Sequence, residues 1–237
     1  MNAPSTAMIL AAGLGTRMRE LTADRPKPML PVAGRPLLDH ALDRAAEGGA
    51  ARAVVNVHYF AEQIRAHLSG RKAPAVTISD ETDALLETGG GLVRALPLLG
   101  DAPVYVMNSD ALWTGPAPLP VLAEAWDETR MDALLLMVAK ENARAYTRAG
   151  DFFLTADMRP ERRGDRPEAP YVYTGAQILS PALIAEFEEE RFSANAIWDR
   201  ALGRGRLFAC VHAGGWVDVG TPEGLQEADR LVREDEA

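Results

Sequence analysis

Short apolar runs alternate with amphipathic stretches through the first 138 residues, and glycine or proline separates them. TAMILAA (6–12) is almost wholly apolar and stops at a glycine, which predicts a buried strand. PLLDHALDRAAEGG (36–49) opens on proline, carries an apolar stripe and ends in glycine, which predicts a helix. RAVVNV (52–57) reads as a strand, FAEQIRAHL (60–68) as a helix and AVTIS (75–79) as a strand. TGGGLVRALPLLG (88–100) is a glycine-rich helix start with its helix, and PVYVMN (103–108) is a strand. Residues 118–128 then form a helix and DALLLMV (132–138) a buried strand. This alternation predicts an α/β chain, a mostly parallel central sheet with right-handed crossovers and helices on both faces. Ligands of such sheets bind beyond the carboxyl ends of the strands. Gly13–Lys27, Glu87–Gly91 and Asn108–Asp110 therefore fall on one rim.

The rhythm changes after residue 139. AKENARAYTRAGDF and DMRPERRGDRPEAP are polar and turn-rich, and they flank a strand in DFFLTA. YVYTGAQIL (171–179), RLFACVH (206–212) and WVDVG (216–220) read as strands, with WDRALG in a short helix. TPEGLQEADRLVRE makes a terminal helix with Thr221 as N-cap and Pro222 in its first turn. One domain is expected, divided into a core (1–138), an inserted lobe (139–215) and a strand with a helix returning to the core (216–237).

The 237 residues are 47% apolar and 25% charged, ordinary for a globular domain. Cys210 is the only cysteine, so no disulfide forms within the chain and none calls for an oxidising compartment. It reads as a small buried apolar residue. No run approaches the ~18 apolar residues that span a bilayer, and the N-terminus lacks the basic start of a signal peptide. A cytoplasmic protein is expected. A net charge of −9 argues against nucleic acid as a partner. Residues 1–35 run the other way: five cations (Arg17, Arg19, Arg25, Lys27, Arg35) against two carboxylates (Glu20, Asp24) leave +3. Residues 13–36 hold four prolines and three glycines and read as a long loop, of a length that is usually functional or disordered. A basic opening segment on an acidic protein suits a small anion, although charge alone would equally describe a solvated loop.

Two common glycine loops do not fit. No glycine is followed by lysine and a hydroxyl residue, as a P-loop requires. Met18 stands where the dinucleotide fingerprint needs its third glycine, and Asp39 lies inside the helix after the loop. The full string LAAGLGTRMRELTADRPKPMLPVAGRPLL is more specific. It resembles the signature of the sugar-1-phosphate nucleotidyltransferases, departing mainly at Glu20, where that family usually has proline. The resemblance continues through LETGGG (86–91), VMNSDALW (106–113) and GGWVDVGTPEGLQEA (214–228), and is weak only across 140–170. Within the family, LETGGG, ALPLLGDAPVYVMNSD, WVDVGT and the compact length look most like the N-acetylmuramate-1-phosphate uridylyltransferases of bacterial cell-wall recycling. Some members carry a second activity on a C-terminal β-helix, which is not expected after this terminal helix.

The resemblance implies a Rossmann-like nucleotidyltransferase fold with a small sugar-binding lobe. It also implies a reaction in which a sugar 1-phosphate attacks the α-phosphorus of a nucleoside triphosphate, with UTP favoured, and pyrophosphate leaves. The attacking phosphate is already anionic, so positioning and charge neutralisation suffice. The four histidines (His40, His58, His67, His212) are scattered and offer no base. Glycine lets main-chain N–H groups close on phosphates, which suits Gly13, Gly15 and Thr16 to the triphosphate turn. Arg17 can offer a forked guanidinium, and Lys27, between Pro26 and Pro28, a charge whose aim is restricted on both sides. Asp110 and Asp218 match the family's aspartates for Mg²⁺, a cation of oxygen ligands. Arg17, Lys27 and Asp110 are thus the expected catalytic groups. Base and ribose are expected against Ala11, Ala12, Gly13 and the turn with Gly89 and Gly90. Glu81 is the candidate acceptor for uracil N3–H, and Asn108 orients the loop of Asp110. Glu87, Asn142, Asp151, Thr174 and Gly175 match sugar contacts by position.

Trp113, Trp126, Trp198 and Trp216 read as packing residues without a chemical role. Substrate choice stays open between the uridylyltransferase and a mannose- or heptose-1-phosphate guanylyltransferase or glucose-1-phosphate thymidylyltransferase. A non-catalytic nucleotide-sugar-binding subunit is a further alternative, disfavoured because Arg17, Lys27, Asp110 and Asp218 are all retained. The sequence leaves oligomeric state open.

Overall fold

The structure is a computed structural model that describes residues 3–235; positions 1, 2, 236 and 237, the ends of the expected domain, lie outside the described residues. After β1 (Thr6–Leu10) come a 3-10 helix (Thr16–Thr22), a 3-10 turn (Lys27–Met29) and the two-residue strands β2 (Pro31–Val32) and β3 (Arg35–Pro36). Next follow α1 (Leu37–Glu47), β4 (Arg52–Val57), α2 (Ala61–Leu68), β5 (Ala75–Asp80), α3 (Glu87–Leu99) and β6 (Val104–Asn108). The middle holds β7 (Ala111–Trp113), α4 (Pro118–Ala125), β8 (Ala133–Ala139), β9 (Ala143–Arg144), β10 (Phe152–Leu154) and β11 (Pro160–Arg162). The chain then runs through β12 (Tyr171–Leu179), α5 (Pro181–Ile184), α6 (Asn195–Gly203), β13 (Leu207–His212), β14 (Trp216–Asp218) and α7 (Pro222–Asp235).

Seven strands of the main sheet run β5-β4-β1-β6-β12-β8-β13, and of these seven β12 alone is antiparallel to its neighbours. Strands covered on both faces need apolar residues at every position, which is why TAMIL and ALLLMVA bury almost continuously. Alternate residues still separate by face. Ala7 and Ile9 pack with α1, α2 and α4, while Met8 packs with α3, α5 and α6. The helices on both faces and the mostly parallel sheet are as the alternation implied.

The expected lobe is not one separate unit. Within 139–215, β12 lies in the central sheet between β6 and β8, and β13 closes its edge. β10 and β11 together extend the sheet beside the start of β12. Strand pairing across about seventy residues leaves no local signal, so the polar segment before β12 marked a boundary that the sheet ignores. β7, too short to show alternation, joins β14 and β9 in a second sheet.

The 13–36 segment is ordered. Met18, Leu30 and Val32 tuck against Val217 and Val219 and under Ala228 and Leu231 of α7. The Thr221 hydroxyl accepts the Gly224 N–H at 3.2 Å, the cap that the sequence predicts for α7. The last helix thus clamps the opening loop onto the sheet's carboxyl rim.

Candidate functional site

Three cavities of about 480, 390 and 210 Å³ meet along this rim, and Asp110 borders all of them. The smallest lies over the opening turn and is lined by Ala11, Gly13, Gly15, Thr16, Arg17 and Lys27, among others. Gly15 sits at φ +65°, where a side chain is strained, and a Cβ there would stand 3.0 Å from the Lys27 Cβ. Glycine thus lets the turn close against the lysine. Pro26 is extended, and a 3-10 turn begins at Lys27, closed by Leu30 N–H donating to the Lys27 carbonyl at 3.0 Å. The Lys27 ammonium, nearly buried, donates to the Asp110 carboxylate.

Asp218 joins this pair from the neighbouring strand: it lies opposite Ala111 in the β14–β7 register, and Val219 N–H donates to the Asp110 carbonyl at 2.9 Å. Burial, and then the like charge of Asp110, push the Asp218 carboxyl above the usual range, while Lys27, Arg17 and Arg148 oppose the rise. Gly220 explains the glycine of WVDVG: a Cβ would meet Arg17 Nη1 at 2.8 Å and Asp218 Oδ2 at 3.0 Å. Its absence lets the guanidinium lie beside the carboxylate.

The 390 Å³ cavity is built around a residue that the strand pattern hid. Asn56, at the end of β4, accepts the Ala11 N–H at 2.7 Å and donates to Glu81 Oε1 at 2.7 Å. Glu81 is fully buried, and its Oε2 has no hydrogen-bond partner among the described residues. Burial pushes this carboxyl up, and the Asn56 bond opposes it. A Cβ on Gly91 would stand 2.7 Å from Glu81 Oε1 and 3.0 Å from Asn56 Nδ2, so this glycine of LETGGG makes room for the pair. Ala12, Gly13 and Asn108 line the same cavity. Glu87 does so too, at φ +61° and with its carboxylate 2.9 Å from Arg191 Nε.

The 480 Å³ cavity opens toward β10–β12. Asp151 accepts the Tyr173 N–H at 3.1 Å and the Tyr146 hydroxyl at 3.3 Å. The register of β12 against β8 shifts between Tyr173 and Gln177, which is a bulge. Gly175 lies in it at φ +84°, and a Cβ there would stand 2.9 Å from Asn108 Nδ2. The bulge therefore brings Thr174 and Gly175 against Asn108 on the cavity wall. Trp113 and Trp126 are core residues, as expected. Trp198 and Trp216 are also buried, but each borders this cavity and donates its indole N–H inward, to Gln177 Oε1 and the Thr174 carbonyl.

Most of the expected residues thus meet here. Gly89 and Gly90 do not: both N–H groups donate to the Phe192 carbonyl, and Cβ atoms would strike the Phe192 ring at 2.4 Å and the Glu190 carbonyl at 2.0 Å. They are small in order to seat residues 190–192, and neither lines any of these three cavities. Asn142 lies in a 3-10 turn (Lys140–Asn142) before β9 and borders none of the three. No histidine borders them either.

Two cations, two adjacent carboxylates and a glycine-bearing turn thus meet at the carboxyl rim of an α/β sheet. Residues 7–201 match the MobA-like NTP transferase domain, and the chain belongs to that family. It is 42% identical over 238 residues to the N-acetylmuramate alpha-1-phosphate uridylyltransferase of Caulobacter vibrioides, covering 98% of each chain. The same-named protein of Neisseria meningitidis is 36% identical, over 95% of this chain and 97% of its own. The fold is that of HddC from Yersinia pseudotuberculosis, solved with GMP-PN (TM-score 0.77, 24% identity, 96% of this chain and 99% of that one).

Proposed function

We propose that the protein transfers UMP from UTP to N-acetylmuramic acid 1-phosphate, releasing pyrophosphate. The observation that carries this reading is the Lys27–Asp110 pair at the meeting point of the three cavities, with Asp218 beside it. The names of the relatives from Caulobacter vibrioides and Neisseria meningitidis support the substrates. The reading assigns the triphosphate to the smallest cavity, the base to that of Glu81 and the sugar to that of Asp151. We place the reaction in the cytoplasm, where UTP is, and in the reuse of cell-wall amino sugars. Among the described residues no helix is long and apolar enough to cross a membrane.

In the reaction, an oxygen of the sugar phosphate bonds to the α-phosphorus as the bond to the β-phosphate bridging oxygen breaks. No proton moves, so no general base is needed. Lys27, held by Asp110 against this cavity, supplies a cation to the α-phosphate, and Arg17 supplies one to the β and γ phosphates. Gly13 borders two of the cavities, and a Cβ there would meet no atom within 4 Å, which supports close approach of phosphate to its main chain.

Asp110 and Asp218 fit Mg²⁺. They are adjacent like charges, one of them largely desolvated, and a divalent cation would relieve both penalties. No group of three or more His, Cys, Asp or Glu suited to a metal occurs among the described residues. The remaining positions therefore fall to phosphate oxygens and water, the usual arrangement for this ion. Bound there, Mg²⁺ would supply Lewis-acid stabilisation of the charge on the transferring phosphate.

Pyrophosphate release measured over UTP, dTTP, GTP and CTP tests the assignment; UTP with N-acetylmuramic acid 1-phosphate should give the largest kcat/KM, and a preference for GTP would overturn it. The free Glu81 Oε2 suits a ring N–H donor, which uracil has at N3 and cytosine lacks. Glu81→Gln is expected to raise KM for UTP by roughly tenfold, the worth of one hydrogen bond to a charged group. The variant should not melt lower. A carboxyl raised above its ordinary 4.5 contributes stability fully only below that value and loses it as pH rises through the folded-state pKa. Glutamine never ionises, so the melting difference should move in the variant's favour as pH rises above about 4.5. Melting curves across pH check the sign.

A further inference from the structure

Arg17, Arg148, Arg162 and Arg163 line the 480 Å³ cavity, and of these Arg163 has neither a carboxylate partner among the described residues nor a use in the phosphate chemistry. Arg163 follows β11, and its main-chain N–H donates to the Asp151 carbonyl at 2.9 Å, which fixes it beside the sugar cavity. Its neighbour Arg162 is neutralised: Nη2 lies 2.7 Å from Asp199, and Nη1 donates to Asn195 at 3.0 Å. Those bonds pin the β10–β11 hairpin to α6. Arg163 spends one N–H on the Arg166 carbonyl at 2.7 Å. Its Nε is buried without a partner, and no carboxylate pairs with it among the described residues. The other arginines on this wall are otherwise engaged. Arg17 also borders the triphosphate cavity, and Arg148, 62% exposed, lies over the Tyr146 ring and 3.9 Å from Asp218.

An unpaired guanidinium on a cavity wall is a site for a planar anion, which it binds with two parallel N–H groups. N-acetylmuramic acid 1-phosphate carries two anionic groups, the phosphate on C1 and a carboxylate on its lactyl ether. N-acetylglucosamine 1-phosphate is the same molecule without that ether arm. We propose that Arg163 binds the lactyl carboxylate and is the residue that makes this cavity select the muramic sugar. The inference rests on the reading given under Proposed function, and it adds the group that separates two otherwise identical sugars. The carboxylates on the same wall do not compete for Arg163. Asp151 is held by Tyr173 and Tyr146, Asp110 by Lys27, and Asp218 lies beside Arg17 and Arg148.

The test is kcat/KM for both sugars, at saturating UTP, in the wild type, Arg163→Ala and Arg163→Lys. The wild type should prefer the muramic sugar. In Arg163→Ala the ratio between the two sugars should fall roughly 10- to 100-fold, mainly through KM for the muramic sugar, and Arg163→Lys should recover part of it. If Arg163→Ala does not fold, Arg163→Gln removes the charge at similar length and is read by the same ratio. An unchanged ratio in the variants overturns the role of Arg163 while leaving the proposed function intact. A wild type that does not use the muramic sugar overturns the proposed function itself, and this inference with it.

Discussion

Lys27→Ala is expected to lower kcat by roughly 10²–10³-fold, the loss that follows removal of one preorganised charge or donor from a transferring centre. KM for the sugar should change little, because Lys27 lines the 210 Å³ cavity and not the 480 Å³ one. The variant also leaves Asp110 and Asp218 side by side without their nearest ammonium. Removing one partner of a fully buried pair costs about 3–5 kcal/mol. Asp110 keeps 22% of its side chain exposed, so a smaller loss, about 1–3 kcal/mol, is expected. Mg²⁺ should then raise the melting temperature of the variant more than that of the wild type, since no ammonium competes for Asp110. A kcat within tenfold of the wild type, in steady-state pyrophosphate release, would contradict the role given to Lys27.

Asp218→Asn separates catalysis from stability in the opposite direction. Losing one of two carboxylates that would hold Mg²⁺ is expected to reduce kcat by roughly 10²–10⁴-fold, several kcal/mol of transition-state charge stabilisation. The same change removes a desolvated charge that sits beside a like one. In chelator at neutral pH the variant should therefore melt at or above the wild-type temperature, whereas added Mg²⁺ should stabilise the wild type and leave the variant unmoved. Thermal melts in chelator and in Mg²⁺, run beside the kinetic assay, read both effects. A variant that melts lower in chelator would mean that Asp218 holds the fold and not a cation.

Much of this molecule is legible along the chain because its core follows local rules. The strands of the parallel half are continuous apolar runs, α1 lies between Pro36 and Gly48, and α4, α5 and α7 open on proline. The rim follows from topology, so Lys27 and Asp110 could be brought together from 83 residues apart in sequence. What stayed hidden depends on tertiary neighbours. Asn56 sits inside RAVVNV, where a polar residue among β-branched ones is the signal, yet only the fold shows that it joins Ala11 to Glu81. The glycines of LETGGG look alike, but Gly91 makes room for Glu81 and Asn56, while Gly89 and Gly90 accommodate Phe192 and Glu190 from a hundred residues away. Arg163 lies in a polar turn with no periodicity. Its setting depends on Asp151 across the hairpin.

The most direct measurement is a crystal structure of the protein with Mn²⁺ in place of Mg²⁺ and a non-hydrolysable UTP analogue, the ion located by its anomalous scattering. One ion bound by both Asp110 and Asp218 is expected, with the Lys27 ammonium within hydrogen-bonding reach of the α-phosphate. An ion held by other residues, or a triphosphate lying away from Lys27, would contradict this arrangement.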